Sequence, residues 1–232
     1  MTDLRVFASI VLAVVAWASV TPVGATGPAR TPLLAELSYG GEQPVLQIDR
    51  RGRVTAISRD RAIRVQYTRQ DLERLCPHLY DGSLRDISQA RLDAVVADAE
   101  RRVDRAAPLG GDSCQMLLPT ATGVATLRLD APGVLSGRID DVCPVVRSFE
   151  SVRSDLERLR NATLVGGMSE VERLAEVASA RSGHSIVAED LSFADVFGQQ
   201  RTLQFQNGRS LVMLEVRGES VEVVSFDLTR PE

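Results

Sequence analysis

The chain has 232 residues, 44% hydrophobic and 25% charged, a globular composition with length for one large domain or two small ones. Its formal net charge is −4 and its pI about 5.4, so no basic field exists to gather nucleic acid or an anionic membrane surface. All 27 basic side chains are Arg, which excludes a Schiff-base lysine, a phosphate-loop lysine and a Ser-Lys dyad, because Arg stays protonated and is a poor nucleophile.

At the start, Met1 to Arg5 precede an apolar run from Val6 to Val20, interrupted by Ser9 and Ser19, and Val23-Gly24-Ala25 places compact residues where a signal peptidase reads. The pattern predicts a signal peptide over 1–25, a Pro/Gly-rich lead-in over 26–32 and a secreted or periplasmic protein, free of the membrane after cleavage. The run is shorter than the roughly 20 residues a span needs, which leaves an uncleaved anchor as the alternative. Export would place Cys76, Cys114 and Cys143 in an oxidising compartment, where one disulfide and one spare thiol are expected, with the pairing open. A metal site made of these three with His78 lacks the close cysteine pair of zinc sites, so no metal and no cofactor is expected.

A first α+β domain is predicted over 33–160. Leu33, Ala35, Leu37 and Tyr39 alternate with Leu34, Glu36 and Ser38, and three further short strands follow, with a turn at Arg50-Arg51-Gly52. Thr68 with Asp71 forms a capping box for one helix, and Asp86 with Gln89 signals the start of a second. Gln115 to Thr120 and Val124 to Asp130 read as a hairpin whose Pro119 marks an edge or a bulge. In the last helix Val145, Phe149, Val152, Leu156 and Leu159 form one apolar stripe.

The order Tyr39-Gly40-Gly41, an alternating strand, Arg50-Arg51-Gly52-Arg53-Val54 and then Thr68 opening a Leu-containing helix resembles the opening of small secreted bacterial proteins without an assigned function. The resemblance covers about a fifth of the mature chain and implies export and a similar sheet-plus-helix start. It brings no functional residues. The absence of Lys fits a bacterial, GC-rich base composition.

A second, smaller α+β module is predicted over 163–232. Gly166-Gly167 breaks the chain, Ser169 with Glu172 forms a capping box and Gly183 is the C-cap. Residues 191–200 read as a loop or helical turn carrying Phe193 and Phe197. The Asn207-Gly208 pair then centres a two-residue hairpin in which Leu203 opposes Val212 and Phe205 opposes Ser210. With a second turn at Gly218-Glu219, a three-stranded meander results: antiparallel sheets with helices packed on one face. Leu203, Val212, Leu214, Val216, Val221 and Val223 share the core face. The opposite face carries Leu211, Met213, Val224 and Phe226, which either pack on the rest of the protein or await a protein partner. Met213 and Phe226 are expected to be buried in the monomer.

Catalytic signals are weak. Gly111-Asp112-Ser113 lacks the glycine that follows a trypsin-like nucleophile, and no G-x-S-x-G occurs. His78 and His184 are the candidate bases, and Asp140-Asp141 and Glu189-Asp190 are adjacent carboxylates that a strand would point to opposite faces. Asn161-Ala162-Thr163 fits a glycosylation sequon. With no catalytic residue assigned, the sequence points to a secreted binding or structural protein. The alternatives are a hydrolase using His184 with Ser185 or Asp190, and a protease inhibitor presenting the loop 121–123 or 130–133.

Overall fold

Alternating apolar residues build the first sheet. The computed structural model describes residues 33–40, 43–58, 61–103, 113–120, 123–130, 143–208 and 210–227. The predicted leader and the Asp140-Asp141 pair lie outside them. Strands β1 (Leu33–Tyr39), β2 (Leu46–Asp49), β3 (Arg53–Ser58), β4 (Arg61–Gln66), β5 (Ser113–Thr120) and β6 (Gly123–Asp130) form an antiparallel sheet in the order β4-β3-β2-β1-β5-β6. One row of paired residues, Leu127–Met116–Leu37–Leu46–Ala56–Ile63, crosses all of it on the core face. The opposite face carries Glu36, Gln47, Thr55 and Arg64 in register, the alternation of a sheet wetted on one side. Pro119 sits in an inner strand, not an edge. The β1 pairing ends at Leu117, so the missing Pro119 N–H falls where no partner strand needs it.

Helices cover the core face. The predicted Thr68–Asp71 capping box opens α1 (Arg69–Leu75), and Pro77 is the first residue of α2 (Pro77–Tyr80), where a missing N–H costs nothing. Ser88 rather than Asp86 caps α3 (Gln89–Val103), its hydroxyl accepting from the Arg91 N–H. The last helix of the first segment, α4 (Pro144–Val165), runs past the predicted boundary at 160–163 and ends at Gly166. Of its predicted stripe Phe149, Val152, Leu156 and Leu159 are buried, while Val145 is only half-buried and Val146 takes the inward place, and no residue from 151 to 165 is fully exposed. That enclosure arises because α4 packs on β3 and β4 of the first sheet, on α1 and α2, and on the second sheet as well.

The second sheet has four strands, not three. Strands β7 (Leu191–Phe197), β8 (Gln200–Asn207), β9 (Ser210–Arg217) and β10 (Ser220–Asp227) form an antiparallel meander in the order β10-β9-β8-β7. A register shift between Leu191 and Phe193 puts Leu191, Ala194 and Val196 on the core face, which breaks the period-two pattern that would have revealed β7. Three glycines at positive φ, Gly198, Gly208 and Gly218, each directly follow a strand, and Gly198 and Gly218 each open a two-residue turn. Asn207 pairs with Ser210, so the central turn begins at Gly208 and is not centred on Asn207-Gly208. Leu203 consequently faces Leu214 and Phe205 faces Val212, a slip of two residues that leaves the predicted faces intact. Helix α5 (Met168–Ser182) packs on β9 and β10. It begins one residue before Ser169, with Gly167 as N-cap and no side-chain cap, so the predicted Ser169–Glu172 box does not form.

Gly52 and Gly208 both hold positive φ but differ in what surrounds them. A Cβ on Gly52 would lie 2.7 Å from the Tyr67 carbonyl oxygen, whereas one on Gly208 meets nothing within 4 Å. Gly208→Ala should therefore cost only the left-handed backbone penalty, about 1–2 kcal/mol, and Gly52→Ala distinctly more. Urea denaturation of the two variants checks the ranking.

Candidate functional site

The charged face of α4 looks across an open cleft at the corner where the chain enters the second sheet. Arg153, Ser154, Glu157, Arg158, Arg160 and Asn161 line one side, and Glu189 to Phe193, with Gln206 and Gly208, line the other. The cleft measures about 640 Å³, within the range of small-molecule sites, roughly 300–1,000 Å³. Its far wall is shaped by the 3₁₀ turn Ala188–Asp190, where the Asp190 carboxylate accepts from the Val187 N–H at 2.9 Å.

The carboxylates of this cleft are held by neighbours. Glu157 accepts from the Tyr39 hydroxyl, and the Tyr39 phenol is pushed far above its ordinary pKa, first by burial and then by the Glu157 charge. Arg153 donates to Tyr39 at 3.2 Å and clasps Glu150 through two nitrogens. Glu189 is gripped by Arg74, whose third nitrogen donates to Glu172 at 3.2 Å. This pairing holds Glu189 below the usual carboxylate range although its burial pulls the other way. Two polar atoms in the cleft wall are left over. Arg160 Nε and Asn161 Oδ1 are buried without a hydrogen-bond partner among the described residues. An unpaired buried polar atom costs about 1–3 kcal/mol.

The residues singled out from sequence are scattered around this cleft. His78 lies on α2, where its backbone N–H and its Nδ1 both meet Asp155 Oδ2, at 2.8 and 3.2 Å. Asp155 is 1% exposed, and burial raises its carboxyl pKa against the lowering effect of His78 and Arg158. This is the base-and-orienter half of a catalytic triad, but the crevice beside His78 holds about 10 Å³, room for roughly one water. His184 follows α5, and its Nδ1 lies 3.3 Å from Ser210 Oγ. Neither Ser185 nor Asp190 hydrogen-bonds its ring: Ser185 presents its carbonyl to Asn207, and Asp190 caps the 3₁₀ turn.

The expected disulfide is absent. Cys76, Cys114 and Cys143 are all free and buried. Cys76 joins α1 to α2, Cys114 lies in β5 and Cys143 precedes α4, and the packing of these elements brings no two of the thiols to bonding distance. Burial pushes the Cys114 thiol up to about 12 and the Cys76 thiol higher still. The cysteines therefore carry no argument about compartment, which rests on the leader alone. Among the described residues no three His, Cys, Asp or Glu side chains group as metal ligands.

Of the predicted interaction face, Leu211 and Met213 are half-buried and Val224 is 52% exposed. The Phe226 side chain lies outside the described residues, as do the candidate inhibitor loops apart from Gly123 and Asp130. The sequon asparagine, Asn161, is 4% exposed inside α4, closed to a glycosylating enzyme. Sequence reasoning missed both Asp155 and the cleft role of Asn161. Each stands directly before an apolar residue of the helix, Leu156 and Ala162, which is too common a pattern to mark a buried polar group. No protein-family model, curated protein or solved structure matches this chain.

Two outcomes follow from this geometry. Alkylation of the native protein should modify none of the three cysteines, and all three after denaturation, counted by mass spectrometry. Because burial raises the folded pKa of Asp155 above its ordinary value of 3.8, its protonated form favours the fold. That contribution is fully present below the ordinary value and is lost as pH rises through the raised one. Asp155→Asn should keep the His78 N–H bonded and gain stability over wild type as pH rises above the ordinary carboxylate value, measured by urea denaturation. Comparison with the variant removes the opposite-signed contributions of Glu170 and Glu189.

Proposed function

We propose that this chain is an exported binding protein that acts without catalysis, and that the cleft between α4 and the 189–193 corner takes its ligand. The observation that carries the reading is a contrast within the cleft lining. Its carboxylates are committed to Tyr39, to Arg74 or to a backbone N–H, while two buried polar atoms have no partner among the described residues. A catalytic site needs a group poised to give or take a proton. A binding site needs unspent hydrogen-bonding capacity, which this wall has.

A second reading has its own support. On the outer face of the second sheet, Val224, Met213, Gln204 and Phe193 stand in one cross-strand row. Phe193 is 46% and Phe197 66% exposed, so an apolar patch for a protein partner is the rival site.

A thermal-shift screen of small polar ligands tests the primary reading. A ligand present at about 100-fold its Kd adds about 2.7 kcal/mol, which for this size raises Tm by roughly 5–10 °C. Ser154→Trp, which fills the cleft, should abolish the shift, while His184→Ala and Met213→Glu should leave it intact. A shift that survives Ser154→Trp, or no shift with any ligand, would sink the reading.

A further inference from the structure

The unspent groups of the cleft define a ligand chemistry. Asn161 Nδ2 donates to the Ser192 carbonyl at 3.1 Å, which orients the amide and leaves Oδ1 as its free, buried acceptor. On the adjacent residue, Arg160 Nη1 lies 3.5 Å from Glu157 Oε2 and its Nε has no partner. Arg158 reaches a carboxylate at 3.8 Å, and that carboxylate, Asp155, already accepts from His78. Two guanidinium groups thus retain donors, and one amide retains an acceptor, along the same stretch of α4.

Resting on the reading that the cleft is a binding site, we infer that it takes a singly charged carboxylate with a hydrogen-bond donor close by, as in an N-acyl amino acid or the C-terminus of a peptide. The anion answers Arg158 and Arg160, which offer the planar fork suited to a carboxylate. The neighbouring N–H answers Asn161 Oδ1, which an anion alone leaves unpaired. Charge count separates carboxylate from phosphate: Glu157, Glu189 and Asp190 line the same cleft as the arginines. A second negative charge on the ligand would meet them with less cationic compensation. The ring of Phe193, 46% exposed, borders the cleft and supplies an apolar surface for the ligand side chain. Capture of a chain terminus by donors fixed on a rigid element is a recurring mode of peptide recognition.

Isothermal titration of the full chain with N-acetyl-L-leucine, N-acetyl-L-leucinamide, an N-acetylated tetrapeptide ending in leucine and inorganic phosphate tests the inference. The two acids should bind, and the amide, which loses the charge, should bind about tenfold or more weakly. Arg160→Gln should weaken the acids by about the same factor while leaving the amide unchanged. Arg158→Gln, altering a side chain with a looser pair, guards against a folding defect in the first variant. Tighter binding of the tetrapeptide assigns the site to chain ends, and equal binding assigns it to small N-acyl acids; either supports the inference. Equal binding of acid and amide, tighter binding of phosphate, no binding of either acid, or acid binding unchanged in both arginine variants would overturn it. Failure of the carboxylate probes alone leaves the cleft reading standing if the wider screen yields a ligand that Ser154→Trp excludes.

Discussion

Helix α4 packs against both sheets and four other helices, which leaves it little solvated face on which to place polar residues, and yet its second half carries Arg153, Asp155, Glu157, Arg158, Arg160 and Asn161. Each such group must find a partner or remain at a cost. Asp155 is answered by the amide and ring of His78, Glu157 by Tyr39, and Arg153 by Glu150 and Tyr39. These contacts also dock α2 and β1 onto α4, so satisfying the helix and assembling the first segment are one event. The two atoms this scheme leaves unsatisfied belong to Arg160 and Asn161, which line the cleft.

The absence of lysine shapes how the parts are joined. An arginine can place several donors on separate acceptors at once. Arg74 bridges α1 to the 3₁₀ turn and to α5, Arg201 bridges β8 to the end of α4 and to Glu170, and Arg61 reaches from β4 to the Gly198 carbonyl. Partly exposed pairs of this kind contribute little stability each. Their value is positional: Arg74 ties the 3₁₀ turn of the cleft corner to α1 and α5, while Asn161 Nδ2 ties Ser192 of the same corner to α4.

Much of the fold was legible because burial of one face imposes a period. The alternation in β1 to β4, the capping box at Thr68 and the stripe from Phe149 to Leu159 all appear where expected. The elements that escaped did so for physical reasons. In β7 the bulge after Leu191 cancels the alternation that identifies a strand. The Asn207-Gly208 pair marks a tight turn correctly but not its centre, because one glycine at positive φ can open the turn as well as close it. The slip by two residues preserved which side chains face inward, so the core prediction survived an incorrect register. The site was far less legible. Asp155 and Asn161 lie beside an apolar stripe, and nothing local distinguishes a polar residue at the margin of a solvated face from one sealed inside.

The sequence by itself determined the class of the fold, the inward faces of most strands and helices, and the lack of a nucleophile, metal or phosphate motif with recognisable spacing. These depend on neighbours a few residues apart, which is the range over which periodicity and turn chemistry act. Only the tertiary structure decided that the three cysteines stay apart, that His78 meets Asp155 and His184 meets Ser210, and that the sequon asparagine faces a cleft. Each of those outcomes joins residues tens of positions apart, and α4, packed by both sheets at once, is what brings the candidate site together.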